Sequence, residues 1–298
     1  MTPDDFLGRV RDLLPAVRDR TARAEELRRL PDETFAEFQE AGLFRAMQPK
    51  RYGGFELDPG TFYRGVMDVA AVCGSTGWIF AVMGAHNWHL ALFPPQAQED
   101  VWGGDDSVQL STSLAPTGKI ERAEGGFRVS GRWSFSSGCD FCHWVVLGGL
   151  APPAEEGAPP DLRTFLLPRA DYEIDDNWHV MGLCGTGSKD IVVKDAFVPE
   201  YRTHSYRDAF HLKNPAWRST TRRCTGCRSA SCFPIRSARR RSASRPARSR
   251  VFASSSRSAS TSATGRAPPP TRSRIGGLPS QRPRSTPRAT ACSAISPR

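Results

Sequence analysis

No acidic side chain follows Ala216. Of the 41 lysine and arginine residues in this 298-residue chain, 19 lie beyond that position, all of them arginine, while all 31 aspartate and glutamate residues lie before it. The first 216 residues therefore carry 22 basic against 31 acidic side chains, and the remaining 82 carry 19 arginines, 18 serines and a single leucine. A segment so poor in large aliphatic side chains cannot bury enough apolar surface to offset the entropy of ordering it. Residues 217–298 are expected to be disordered, and any core must be built upstream. The overall charge of +10 averages two unlike objects, which excludes a uniformly basic nucleic-acid-binding protein. A basic arm that grips nucleic acid through phosphates is one reading of the tail. It lacks lysine, a repeated Arg-Ser or Arg-Gly unit and interleaved aromatics, and its composition matches GC-rich coding sequence read out of frame. The second reading is preferred.

The start of the chain carries Asp4 and Asp5 where a secretory signal needs cations, and no apolar h-region follows. The apolar run from Trp78 to Ala85 ends at His86, far short of the roughly 20 residues a membrane span requires. A cytoplasmic protein with no membrane association is expected. Cys139/Cys142 and Cys224/Cys227 form two C-x-x-C pairs, but their separation and the lack of a histidine beside the second make a poor zinc site. Reduced thiols are expected instead.

Phe6, Val10, Leu13, Leu14 and Val17 repeat with a helical period, predicting an amphipathic helix through about residue 28. Pro31, Asp32 and Glu33 supply an N-terminal signal for a second helix that buries Phe35, Phe38 and Leu43 and stops near Gly42. Residues 61–72 and 76–93 read as two more, split by Gly74 and ended by Pro94-Pro95. After Gly103-Gly104 the period changes to two. Residues 119–124 and 127–135 flank Gly125-Gly126, the signature of a tight hairpin. Alternation then puts Phe127, Val129, Trp133, Phe135 and Ser137 on one face. Residues 144–147, 164–167 and 191–193 are further strand candidates. The reading is an α+β chain: a helical domain (1–103), an antiparallel β domain (104–216) and the basic tail (217–298).

Gly182 to Gly187 has its glycines in the wrong order for a dinucleotide fingerprint and leads into a strand. There is no P-loop, nucleophile elbow or H-E-x-x-H. His86 and His89, three apart on a helix, lack an acidic or cysteine partner nearby, so no metal is expected. One of the two imidazoles is a candidate acid or base.

An ordered set of motifs carries a resemblance: RYGG (51–54), GSTGW (74–78), HNWH (86–89), STSLAPTG (111–118), SGRWSFSSGCD (130–140), GTGSKD (185–190) and FVP (197–199). Over about residues 5 to 216 the chain resembles the acyl-CoA dehydrogenase superfamily, and within it the oxygenase components of two-component flavin-dependent phenol hydroxylases. The resemblance implies a helical domain, a β domain and a C-terminal four-helix domain, the last missing here. It implies reduced flavin, FMNH2 or FADH2, delivered by a separate flavin reductase, dioxygen as co-substrate and a small aromatic substrate. It also implies tetramers in intact members, and for this truncated chain an inactive protein. By position, Ser137 and His86 become the implied catalytic residues, and Ser111, Ser113, Phe135, Ser137 and Gly138 the implied flavin contacts. An acyl-CoA dehydrogenase proper is the alternative, and a nucleic-acid-binding protein acting through the tail a second one.

Overall fold

The computed structural model describes residues 1–153 and 157–215; the expected disordered tail lies outside the described residues. Six helices come first: α1 (Pro3–Asp19), α2 (Thr21–Leu27), α3 (Asp32–Glu40), α4 (Pro59–Ala70), α5 (Gly74–Leu90) and α6 (Pro95–Trp102). Strands β1 (Leu110–Ser113), β2 (Lys119–Ala123), β3 (Gly126–Ser136), β4 (Trp144–Ala151), β5 (Asp161–Pro168), β6 (Glu173–Asp175), β7 (Lys189–Pro199) and β8 (Thr203–Ser205) follow, then a short α7 (Tyr206–Phe210). This is the α+β order expected. Among the described residues no helix is long and apolar enough to cross a membrane.

Thr2 and Asp5 close a capping box at the start of α1, which satisfies two otherwise orphaned amides. The single helix expected through residue 28 is broken at Arg20, whose ψ of 3° leaves the helical range. The α1–α4 layer buries Phe6, Phe38, Phe44, Phe62 and Phe80 in one aromatic core. α5 runs through its centre and is buried on all sides apart from a few positions near its start. Close approach is what lets it in: a Cβ at Gly77 would meet Ala70 at 2.5 Å, and one at Gly84 would meet Phe62 at 2.5 Å.

The strands form two sheets, ordered β1-β4-β5-β8 and β2-β3-β7-β6. Ile120, Phe127, Val129, Trp133, Val145, Leu147, Phe165 and Ile191 fill one core between them. Val146 and Leu166, one residue out of phase, belong instead to a cluster with Leu90, Val101 and Trp102 of α5 and α6 and Phe93 of the turn between them. A period of two divides each central strand between two cores, which is why β4 and β5 read as unbroken apolar runs. The pairing is not wholly antiparallel: β1 runs parallel to β4, because the β2–β3 hairpin intervenes in sequence and returns the chain in the same direction. That hairpin turns one residue earlier than the Gly-Gly pair predicted: Ala123 pairs with Gly126, which already belongs to β3, so the loop is Glu124-Gly125, with Gly125 at φ +74°.

One expected pattern fails. Phe127, Val129 and Trp133 are fully buried, but Phe135 does not share their face. The β3–β7 register slips between Trp133 and Ser136, and Phe135, at φ +67°, occupies the bulge. A bulky residue in the left-handed region is rare, and a bulge re-aims the side chain it carries. The ring is 69% exposed.

Candidate functional site

The bulged end of β3, the middle of α5 and the end of β1 enclose a crevice of about 280 Å3. Tyr63, Trp78, Ala81, Val82, Ala85, Leu114 and Phe135 give it a mostly carbon surface, while His86, Thr112, Ser113 and Ser137 supply the polar groups. A concave apolar site with a few convergent polar groups is the usual form of a small-molecule pocket.

His86 is buried, and burial pushes its pKa down to about 4, against a smaller upward pull from its hydrogen bond to Leu110. The imidazole is therefore neutral at pH 7. Its Nδ1 lies 2.9 Å from the Leu110 carbonyl oxygen, which can only accept, so Nδ1 carries the hydrogen. Nε2 is left as an acceptor and takes the Thr112 hydroxyl at 2.9 Å. The strand that supplies Leu110 and Thr112 thus fixes both tautomer and ring orientation. Ser113 donates to the Ser134 carbonyl at 2.6 Å.

Ser137 sits in a longer chain. The Trp78 indole N–H donates to its oxygen at 3.0 Å, its Oγ lies 2.6 Å from Ser188 Oγ, and Ser188 Oγ lies 2.7 Å from Thr186 Oγ1. Thr186 donates to the Leu183 carbonyl at 2.9 Å. The loop that holds Thr186 and Ser188 is pinned to the helical layer. Glu25 accepts from Ser75 Oγ at 2.5 Å and from the Cys184 amide at 3.0 Å; although burial pulls the other way, these hydrogen bonds hold the Glu25 carboxyl below its usual pKa. Arg28 grips Asp176 at 2.7 and 3.0 Å and the Trp178 carbonyl at 3.0 Å. Trp178 then meets Phe135 edge to face, centroids 6.0 Å apart.

The structure brings four expected residues, His86, Ser113, Phe135 and Ser137, to one crevice. Ser111 is elsewhere: its side chain is fully buried, 3.0 Å from Ser136 Oγ, deeper along β1 than Ser113 on the same face. Gly138, at φ +72°, packs beneath Ser137 against Ile79 and Met83 and shapes the turn. His89 does not join His86. It stacks near Phe93, His204 and Tyr206, and among the described residues no three metal-ligating side chains converge. Cys73, Cys139, Cys142 and Cys184 are free thiols. Thr112, Thr186 and Ser188 are the polar residues that reading the sequence overlooked. Their one sequence signal was membership in the STSLAPTG and GTGSKD motifs.

Residues 5–103 match the family model described as the acyl-CoA dehydrogenase N-terminal domain, and this part of the chain belongs to that domain family. The chain is similar to oxygenase subunits of flavin-dependent monooxygenases. It is 49% identical over 215 residues to the oxygenase subunit HsaA of Rhodococcus jostii, covering 72% of this chain and 56% of that one. It is 38% identical over 214 residues to the oxygenase component of an FADH2-dependent resorcinol hydroxylase from Rhizobium, covering 72% and 52%. The crystal structure of the HsaA monooxygenase from M. tuberculosis superposes with a TM-score of 0.76 at 42% identity, covering 78% of this chain and 61% of that one. The chain spans about half the length of the curated relatives it matches.

Proposed function

We propose that this chain carries the substrate- and flavin-facing half of the oxygenase component of a two-component aromatic hydroxylase, a cytoplasmic enzyme that takes reduced flavin from a separate reductase. The observation that carries this reading is the neutral His86–Thr112 pair opening into the same apolar crevice as Ser137. The hydroxylase names of the relatives favour it over an acyl-CoA dehydrogenase.

The residues present fit a flat, polar-edged ring. Trp78 and Phe135 offer exposed aromatic surface, and Ser113 and Ser137 offer hydroxyl oxygens, that of Ser113 with its hydrogen already given to the Ser134 carbonyl. Reduced flavin, when bound with dioxygen, supplies the oxygen atom that enters the aromatic ring. The chain's own part is to hold the substrate and exclude water. A phenol hydroxyl donates to Thr112 Oγ1, and Thr112 hands its own hydrogen toward His86 Nε2. The Leu110 carbonyl on Nδ1 keeps the neutral imidazole an acceptor at Nε2, so the relay orients the phenol hydroxyl and polarises its O–H bond without forming an imidazolium. Ser137 holds the ring edge and the apolar lining keeps water out.

The test is turnover of the full chain with a purified flavin reductase, NADH, FAD and a small phenol such as resorcinol, followed by oxygen uptake and by mass of the product. Because the resemblance implies an inactive chain, binding of resorcinol without turnover is the expected result; product one oxygen heavier, formed only when the reductase is present, would support the two-component reading and contradict that inactivity. Oxidation of NADH by the chain alone would overturn the two-component reading.

A further inference from the structure

Each serine or threonine hydroxyl has one hydrogen to give, and this fixes the direction of the chain that ends at Ser137. The Leu183 carbonyl can only accept, so Thr186 spends its hydrogen there. Thr186 Oγ1 must then accept from Ser188, and Ser188, its hydrogen spent, must accept from Ser137. Reversing the order would leave two oxygen lone pairs facing each other at 2.9 Å between Thr186 and Leu183. Ser137 therefore gives its hydrogen inward, away from the crevice. One of its lone pairs is taken by the Trp78 indole, and what it presents to a ligand is the other.

This matters because the two redox states of a flavin differ at N5. The reduced ring carries N–H there and donates; the oxidised ring has a bare nitrogen and accepts. An acceptor-only hydroxyl serves the first and repels the second. We propose that Ser188 and Thr186, neither of which lines the crevice, preset Ser137 as an acceptor and so make the site select reduced over oxidised flavin. They are positioning residues, acting through Ser137. Selectivity of this kind arises from an unpaired polar group left by the wrong ligand, and it suits a protein that receives its flavin already reduced. The inference rests on the flavin reading above. Both residues are buried, and the loop that bears them is held by Glu25, so the polarity is built in before a ligand arrives.

Binding of FAD to the full chain, oxidised in air and dithionite-reduced under anaerobic conditions, tests it by equilibrium dialysis. Wild type is expected to hold the reduced form more tightly. Ser188→Ala frees the Ser137 hydrogen to point outward, and the ratio of the two dissociation constants should fall about tenfold, the worth of one hydrogen bond gained by the oxidised form and lost by the reduced. Ser188→Thr keeps the hydroxyl and should keep the ratio; its unchanged circular dichroism and binding guard against a folding artefact. In a Ser137→Ala background Ser188→Ala should have no effect on the ratio. If both forms bind and Ser188→Ala leaves the ratio unmoved, the presetting is wrong while the flavin site stands. If neither form binds to wild type, the flavin reading falls and the inference with it.

Discussion

The two halves of β3 obey different rules. From Phe127 to Trp133 the strand places its large side chains on the inter-sheet core, each fully buried, with the Trp133 indole donating to the Gly148 carbonyl at 2.8 Å. From Ser134 to Ser137 the register slips, Phe135 adopts a positive φ and turns out, and Ser137 ties into a loop some fifty residues away. The first half is organised by burial, the second by hydrogen bonds that aim side chains into a crevice. The first half also slips once, between Val129 and Gly131, but there a glycine at φ +144° absorbs the irregularity and the buried alternation is kept, whereas the second slip puts a phenylalanine in the left-handed region and turns it out.

The comparison can be broken most severely at Trp133. Trp133→Ala should cost about 3 to 5 kcal/mol, since it empties the centre of the core and orphans the Gly148 carbonyl; chemical denaturation of the full chain measures it. A loss below about 1 kcal/mol would mean that the inter-sheet core is not what holds this strand. Phe135→Gly should behave oppositely. Glycine relieves the positive φ, worth about 1 kcal/mol, and the exposed ring contributes little burial, so the midpoint should stay or rise. Affinity for reduced FAD should nonetheless fall, because a wall of the crevice is gone. A large destabilisation by Phe135→Gly would erase the distinction between the halves.

How much of this was legible in the sequence follows the same division. Local rules located the helices around Phe6, Phe38 and Phe62, and the Gly125 turn, because period and turn chemistry are short-range signals. They placed Phe127, Val129 and Trp133 inside. They failed at Phe135, since strict alternation cannot anticipate a bulge whose cause is the register with β7. His86 and Ser137 were reached through motif resemblance, yet the partners that give them their roles were not. Thr112 meets His86 across 26 residues and Ser188 meets Ser137 across 51, and no local pattern announces a hydrogen bond at that range. Ser111 was expected at the ligand for the same reason in reverse: a motif names a strand but not how far along it the crevice reaches. Ser113, on the same face, reaches it, while Ser111 is buried against Ser136, a contact as non-local as the others.

Hydrogen exchange of the full chain, measured by mass spectrometry with and without anaerobically reduced FAD, tests the division most directly. Protection is expected in peptides covering residues 78–86, 111–115, 134–137 and 184–188, with residues 127–131 unchanged because they are already sealed in the core. Protection confined to the shallow hollow formed by residues 170–173 and 192–197, or none anywhere, would contradict the assignment of the crevice as the flavin-facing site.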